Sequence, residues 1–184
     1  MRNVTIVMYH YVRDLQYSRY PNIKGLDIRF FREQLEFLIK NYTIIRMEDL
    51  IGAYNGVNDL PNNAALLTFD DGYLDHYTNV FPLLEKLGVQ GSFFFTCMAL
   101  YHEAILDVNK IHLILASTDV KLIYKSLLGR LDYYRGCEFD IPNNSELIRQ
   151  YAVPYYFDLD CETGFIKRIL QTVLPARLRS MITE

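Results

Sequence analysis

The chain has 184 residues, of which 51% are hydrophobic and 22% charged, and its formal net charge is -3 at pH 7. This length and composition are typical of a globular domain with a sizeable core, and they exclude a disordered chain. The slight negative charge and the lack of a long basic run argue against a nucleic-acid-binding surface.

The cysteines and the N-terminal segment give evidence on the cellular compartment of the protein. Cys97, Cys137 and Cys161 are an odd number without CxxC spacing, which favours neither a disulfide framework nor a structural zinc site. The segment MRNVTIVMYHYV lacks a small-residue cleavage site, and no stretch reaches the length of an uncharged membrane span. We therefore expect a cytoplasmic protein.

The first strand delivers a histidine at its end. Val4–Tyr9 is rich in Val, Ile and Tyr and predicts a buried strand that ends beside His10. A single histidine among aromatic residues packs or caps about as often as it serves a site, so both interpretations stay open for His10. Pro21 and Gly25 then indicate a loop over residues 13–26.

An amphipathic helix follows this loop. Asp27 is a plausible N-cap, and apolar residues then recur at helical spacing. These residues are Phe31, Leu35, Leu38 and Tyr42. A short β-prone run at 43–45, a second helix at 47–54 and a loop at 55–63 complete this part of the chain.

The most informative segment is residues 64–95, AALLTFDDGYLDHYTNVFPLLEKLGVQGSFFF. A buried strand, Ala64–Phe69, ends in Asp70 and Asp71, Gly72 allows a sharp exit, and Gly88 ends a helix before a second apolar strand. Adjacent carboxylates at a strand end are costly unless they are hydrated, paired or bound to a metal. They are the first candidates for a site, although an aspartate here can also cap the following helix.

The order of elements predicts the fold class. Helices alternating with apolar strands indicate an α/β fold with a parallel sheet or barrel of βαβ units. Beyond Cys97 the pattern is mainly helical, with helices expected at 107–116, 120–134, 145–151, 162–173 and 176–183.

The motif Thr68-Phe69-Asp70-Asp71-Gly72, its helix and the strand GVQGSFFF resemble the first motif region of the polysaccharide deacetylase superfamily, carbohydrate esterase family four. The segment IVMYHYV, residues 6–12, is similar to the first strand of one branch of that family. The resemblance covers about the first hundred residues. It implies a (β/α) barrel and metal-dependent removal of acetyl groups from carbohydrate.

The resemblance also implies roles for individual residues. Asp70 matches the catalytic base and Asp71 a metal ligand of the family. Zinc is the expected cation, with cobalt or nickel as alternatives. Tyr9, His10, Gly72 and Tyr73 are expected to bind substrate or lie near the site.

The family's pair of metal-binding histidines is missing from this sequence. The four histidines, His10, His76, His102 and His112, form no H-S/T-x-x-H segment. We therefore expect an apparently incomplete barrel, with half of it in residues 1–98 and a helical insertion or cap in residues 99–184. Such a chain is expected to form a homo-oligomer or to bind a missing C-terminal half.

Other interpretations remain open from the residues alone. The alternative to an enzyme is a non-catalytic remnant that acts as a binding or assembly subunit. Cys97 is expected to be a small buried thiol rather than a nucleophile. His76, His102 and His112 are expected at the surface or in the core, and the pairs Tyr133-Tyr134 and Tyr155-Tyr156 are expected to pack rather than bind sugar.

Overall fold

The computed structural model describes residues 3–97, 101, 105–137, 139–154 and 160–184. His102, Tyr155 and Tyr156 lie outside these ranges. The chain divides into an N-terminal unit, Met1–Tyr101, and a C-terminal unit, His102–Glu184. Within the described ranges, every helix is too short or too polar to cross a membrane.

The N-terminal unit alternates strands and helices. Its strands are β1 (Val4–Tyr9), β2 (Val12–Arg13), β3 (Leu26–Asp27), β4 (Thr43–Ile44), β5 (Ala64–Phe69) and β6 (Ser92–Phe93). The helices that the structure describes in full here are α1 (Ile28–Asn41), α2 (Met47–Tyr54) and α3 (Phe81–Leu87), the last preceded by a π-helical turn, His76–Val80.

Strand β5 is the centre of a parallel sheet, as the sequence predicts. It pairs with β1 along its whole length, from Val4 opposite Ala64 to Tyr9 opposite Phe69. Its other edge pairs with β4 near the start and with β6 near the end. Every residue of β5 is buried, which fits its uninterrupted apolar sequence. The predicted α/β class with a parallel sheet is confirmed, whereas closure into a barrel stays a prediction.

Helix α1 covers one face of this sheet, for the reasons its sequence suggests. The Asp27 carboxylate accepts the backbone N–H of Arg29 at 2.9 Å, which caps the helix start. The apolar stripe then meets the side chains of β5 and α3 in one core. Its buried members are Tyr9, Val12, Phe31, Leu35, Leu38, Leu67, Phe69, Val80 and Leu84.

The strands on either side of β5 are more exposed than expected. We predicted a buried β1, but Ile6 is 57% and Met8 60% exposed. The reason is that β1 is an edge strand among the described residues, with Val7 and Tyr9 on the core and the alternate side chains uncovered. The apolar run at 89–95 is a regular strand only at Ser92–Phe93, and Phe95 is exposed.

The described part of the C-terminal unit is helical. Its helices are α4 (Asp107–Ser117), α5 (Val120–Arg135), α6 (Asn144–Tyr151), α7 (Cys161–Arg168), a π-helical turn (Ile169–Val173) and α8 (Ala176–Thr183). Asp119, Asn143 and Asp160 cap α5, α6 and α7 through side-chain hydrogen bonds. A separate core joins these helices, and its fully buried members include Ile111, Leu131, Leu147, Phe165, Ile166, Ile169 and Leu178.

Candidate active site at the end of strand β5

Asp70 and Asp71 directly follow the central strand. The backbone N–H of Asp70 donates to the carbonyl oxygen of Tyr9 at 2.9 Å, so the pairing with β1 continues up to the first aspartate. Both aspartates are half-buried. The rigid sheet therefore holds two carboxylates at its C-terminal edge, the usual place for ligand sites in α/β proteins.

The turn after β5 uses two residues in the left-handed region. Asp71 has φ 73° and Gly72 has φ 66°. Aspartate tolerates this conformation better than most residues, and glycine adopts it without steric cost. A Cβ on Gly72 would also lie 2.6 Å from the Cβ of Phe95. The turn therefore requires a residue without a side chain at position 72.

The two carboxylates differ in their partners. The Tyr73 hydroxyl donates to Oδ2 of Asp71 at 2.6 Å. Within the described part of the chain, the Asp70 carboxylate accepts no hydrogen bond. Neither carboxylate caps the following helix among these residues, in contrast to the capping alternative considered from the sequence. Asp70 thus keeps its lone pairs for another proton or ligand.

Tyr73 is held by a second tyrosine. Its ring stacks on that of Tyr11, with 4.2 Å between the centroids. Burial, followed by the hydrogen bonds to Asp71 and Tyr11, raises the pKa of Tyr73 far above its usual value. The Tyr73 phenol consequently remains a protonated donor toward Asp71.

His10 and Tyr9 occupy different environments. The His10 side chain is exposed at the end of β1, and it lines a groove of about 470 Å³ together with Tyr11, Lys24 and Gly25; neither aspartate lines that groove. The Tyr9 side chain lies in the core, stacked on Phe69, and burial raises its pKa. It is the Tyr9 backbone that reaches Asp70.

Several further contacts link β1 and β2 to the helix after the aspartates. His76 is buried, and its Nε2 lies 2.6 Å from the His10 carbonyl oxygen, so Nε2 carries the hydrogen in this arrangement. Arg13 Nε donates to Asp75 Oδ2 at 2.7 Å. These contacts join residues more than sixty positions apart, and no local pattern in the sequence predicts them.

The described residues supply only part of the ligands that a metal site needs. Carboxylate oxygens suit divalent cations, and Asp70 and Asp71 can supply them. A catalytic zinc site takes about three protein ligands. Among the described residues, no group of three His, Cys, Asp or Glu side chains is placed to hold a metal.

The prediction for Cys97 is wrong. Its thiol was expected to be buried, whereas the structure shows it exposed.

Part of the chain matches a known protein family. Residues 58–109 match the family described as polysaccharide deacetylase. The poly-beta-1,6-N-acetyl-D-glucosamine N-deacetylase of Escherichia coli K12 is 44% identical over 55 residues, which is 29% of this chain and 8% of that protein. The chain therefore matches only a small part of this curated relative.

Two solved structures are also similar. A de-N-acetylase from Aggregatibacter actinomycetemcomitans is 25% identical, with a TM-score of 0.43, and the match covers 49% of this chain and 36% of that one. IcaB from Ammonifex degensii is 30% identical, with a TM-score of 0.41, covering 51% and 39%.

Proposed function

We propose that the chain, whose residues 58–109 match the polysaccharide deacetylase family, hydrolyses acetyl groups from an N-acetylated polysaccharide. The matched Escherichia coli protein is named for an N-acetylglucosamine polymer with β-1,6 linkages. We propose the same class of carbohydrate as the substrate.

The observation that supports this proposal is the Asp70 carboxylate at the end of β5, which accepts no hydrogen bond from the described residues and lies beside a carboxylate held by Tyr73. As a general base, Asp70 takes a proton from water as the water oxygen attacks the acetyl carbonyl carbon. The carbon–nitrogen bond then breaks, the proton passes to the departing amine, and acetate leaves. Such a carboxylate is suited to this role because no donor among the residues that the structure describes competes for its lone pairs.

We propose a divalent cation, zinc first and cobalt or nickel as alternatives, at Asp71. When bound, such an ion polarises an acyl oxygen and lowers the pKa of a coordinated water. Asp71 would contribute a carboxylate oxygen whose orientation the Tyr73 hydroxyl fixes. Among the described residues, no third His, Cys, Asp or Glu side chain joins these two aspartates in a metal-binding group.

Acetate release tests the role of Asp70. The substrate is an oligomer of β-1,6-linked N-acetylglucosamine, and Asp70→Asn should lower the rate by about 10²- to 10⁴-fold, the usual contribution of a general base. Asp59→Asn is the matched control because it makes the same change in an exposed loop before β5, at the other end of the strand. Equal rates for the wild type and Asp70→Asn would remove Asp70 from this role.

Zinc content tests the role of Asp71. Asp71→Asn is preferable to alanine because asparagine tolerates the left-handed backbone at φ 73°. Stoichiometric zinc in the wild type, lost in this variant, supports the proposal. A wild type that takes up no divalent metal and releases no acetate would instead indicate a non-catalytic subunit.

A further inference from the structure

Tyr73 combines three features that a simple packing residue does not need. Its hydroxyl donates a short hydrogen bond to Asp71, its ring stacks on that of Tyr11, and it lies in the turn directly after the two aspartates. We propose that Tyr73 is a positioning residue, whose hydroxyl holds the Asp71 carboxylate in the orientation that the site requires. This inference rests on the proposed deacetylase function.

The backbone explains why Asp71 needs such a partner. It occupies the left-handed region, and the next residue is a glycine in the same region. The turn places Asp71 beyond Phe69, the last residue of β5, so the pairing with β1 does not restrain it. The hydrogen bond from Tyr73, only two residues along the chain, supplies that restraint locally.

The support for Tyr73 extends to a different strand. Tyr11, just before β2, stacks on the Tyr73 ring at 4.2 Å and is itself buried. The guanidinium of Arg13 lies 4.7 Å from the Tyr11 ring centroid and is paired with Asp75. The orientation of Asp71 is therefore linked to β2 and to the helix after β5.

The orientation of a carboxylate in the site affects the catalytic rate more than it affects substrate binding. A reacting group that is misplaced by about 1 Å can cost about a hundredfold in rate, because the productive geometry is then rarely populated. Phenylalanine at position 73 keeps the ring that stacks on Tyr11 and lacks the hydroxyl, which bonds to both Asp71 and Tyr11. Removal of the hydroxyl alone should therefore loosen Asp71 while the ring remains in place.

The test compares Tyr73→Phe with Tyr77→Phe. The first keeps the stack and deletes the donor, and the second deletes the hydroxyl of an exposed tyrosine four residues along the chain. Acetate release from the N-acetylglucosamine oligomer is measured at a temperature at which thermal melts show each variant folded. We expect kcat to fall about tenfold to a hundredfold in Tyr73→Phe with KM within about twofold, and neither to change in Tyr77→Phe.

Zinc binding by calorimetry gives a readout that does not depend on turnover. Tyr73→Phe should bind zinc about tenfold more weakly than the wild type, as expected when an outer-shell partner of a ligand is lost. An active wild type whose kcat and zinc affinity match those of Tyr73→Phe would overturn the positioning role and leave the proposed function intact. A wild type that neither releases acetate nor binds zinc would overturn both.

Discussion

The Nε2 atom of His76 lies 2.6 Å from the backbone carbonyl oxygen of His10, a residue 66 positions earlier in the chain. His76 is only 3% exposed, so this hydrogen bond forms inside the N-terminal unit. The hydrogen bond connects the helical segment after β5 to the residue that follows β1. The two strand ends that frame the candidate site are thereby joined by a side chain as well as by the sheet.

We predict that His76→Ala lowers the free energy of unfolding by about 2–4 kcal/mol. The change leaves the His10 carbonyl without its buried donor and removes the ring packed against Phe69. His10→Ala is the control because it keeps the carbonyl and removes only an exposed side chain. Denaturant unfolding of both variants measures the difference. Equal stability for the two would show that the His76 contact contributes little.

Gly72→Ala should be more destabilising than Gly88→Ala. Both glycines have φ near 65°, so each substitution carries a backbone cost of about 1–2 kcal/mol. Only at position 72 would the new Cβ meet a neighbour, 2.6 Å from the Cβ of Phe95, whereas nothing lies within 4 Å at position 88. Thermal melts of the two variants isolate the contact with Phe95. The idea of a close approach at Gly72 fails if both melts shift equally.

Local chemistry made much of the fold predictable from the sequence. Asp27 caps α1 and Gly88 ends α3 in the left-handed conformation, both as predicted. Each of these outcomes depends on residues within a few positions of one another.

The burial of side chains and the contacts within the site depend on residues that are distant in the sequence. The sequence pattern therefore predicts them less well than it predicts helix ends. The apolar sequence of β1 suggested a strand covered on both faces, yet Ile6 and Met8 are exposed because no described element covers them. The placement of two carboxylates at the strand tip followed from the motif. The hydrogen bond from Tyr73 to Asp71 could not be predicted from the motif, because it requires the left-handed turn at Asp71.

The ion pair between Arg13 and Asp75 should show a coupling free energy of about 1 kcal/mol. Both side chains are about 20% exposed, so solvent screens the pair less than it screens a surface pair. A double-mutant cycle with Arg13→Met and Asp75→Asn measures this coupling, and it cancels the separate loss of the Arg13 contact with Tyr11. We expect most of the coupling to persist at high salt. A coupling near zero at low salt would contradict the prediction.

Asp160 should make the C-terminal unit sensitive to acid. Hydrogen bonding from Thr163 is the main cause that lowers the Asp160 pKa, and the carboxylate accepts the backbone N–H groups of Glu162 and Thr163 at the start of α7. Because the folded pKa is below the unfolded value of about 4, this stabilisation is fully present above that pH. It is lost as the pH falls through the folded pKa.

The variant Asp160→Asn separates this effect from general acid unfolding. Asparagine can still cap the helix, but it carries no charge to lose. Melting temperatures measured from pH 7 to pH 3 should therefore show the wild type more stable than the variant at neutral pH. The difference should shrink as the pH falls below about 4. A difference that is constant over this range would show that the ionised form of Asp160 contributes nothing to the stability of the fold.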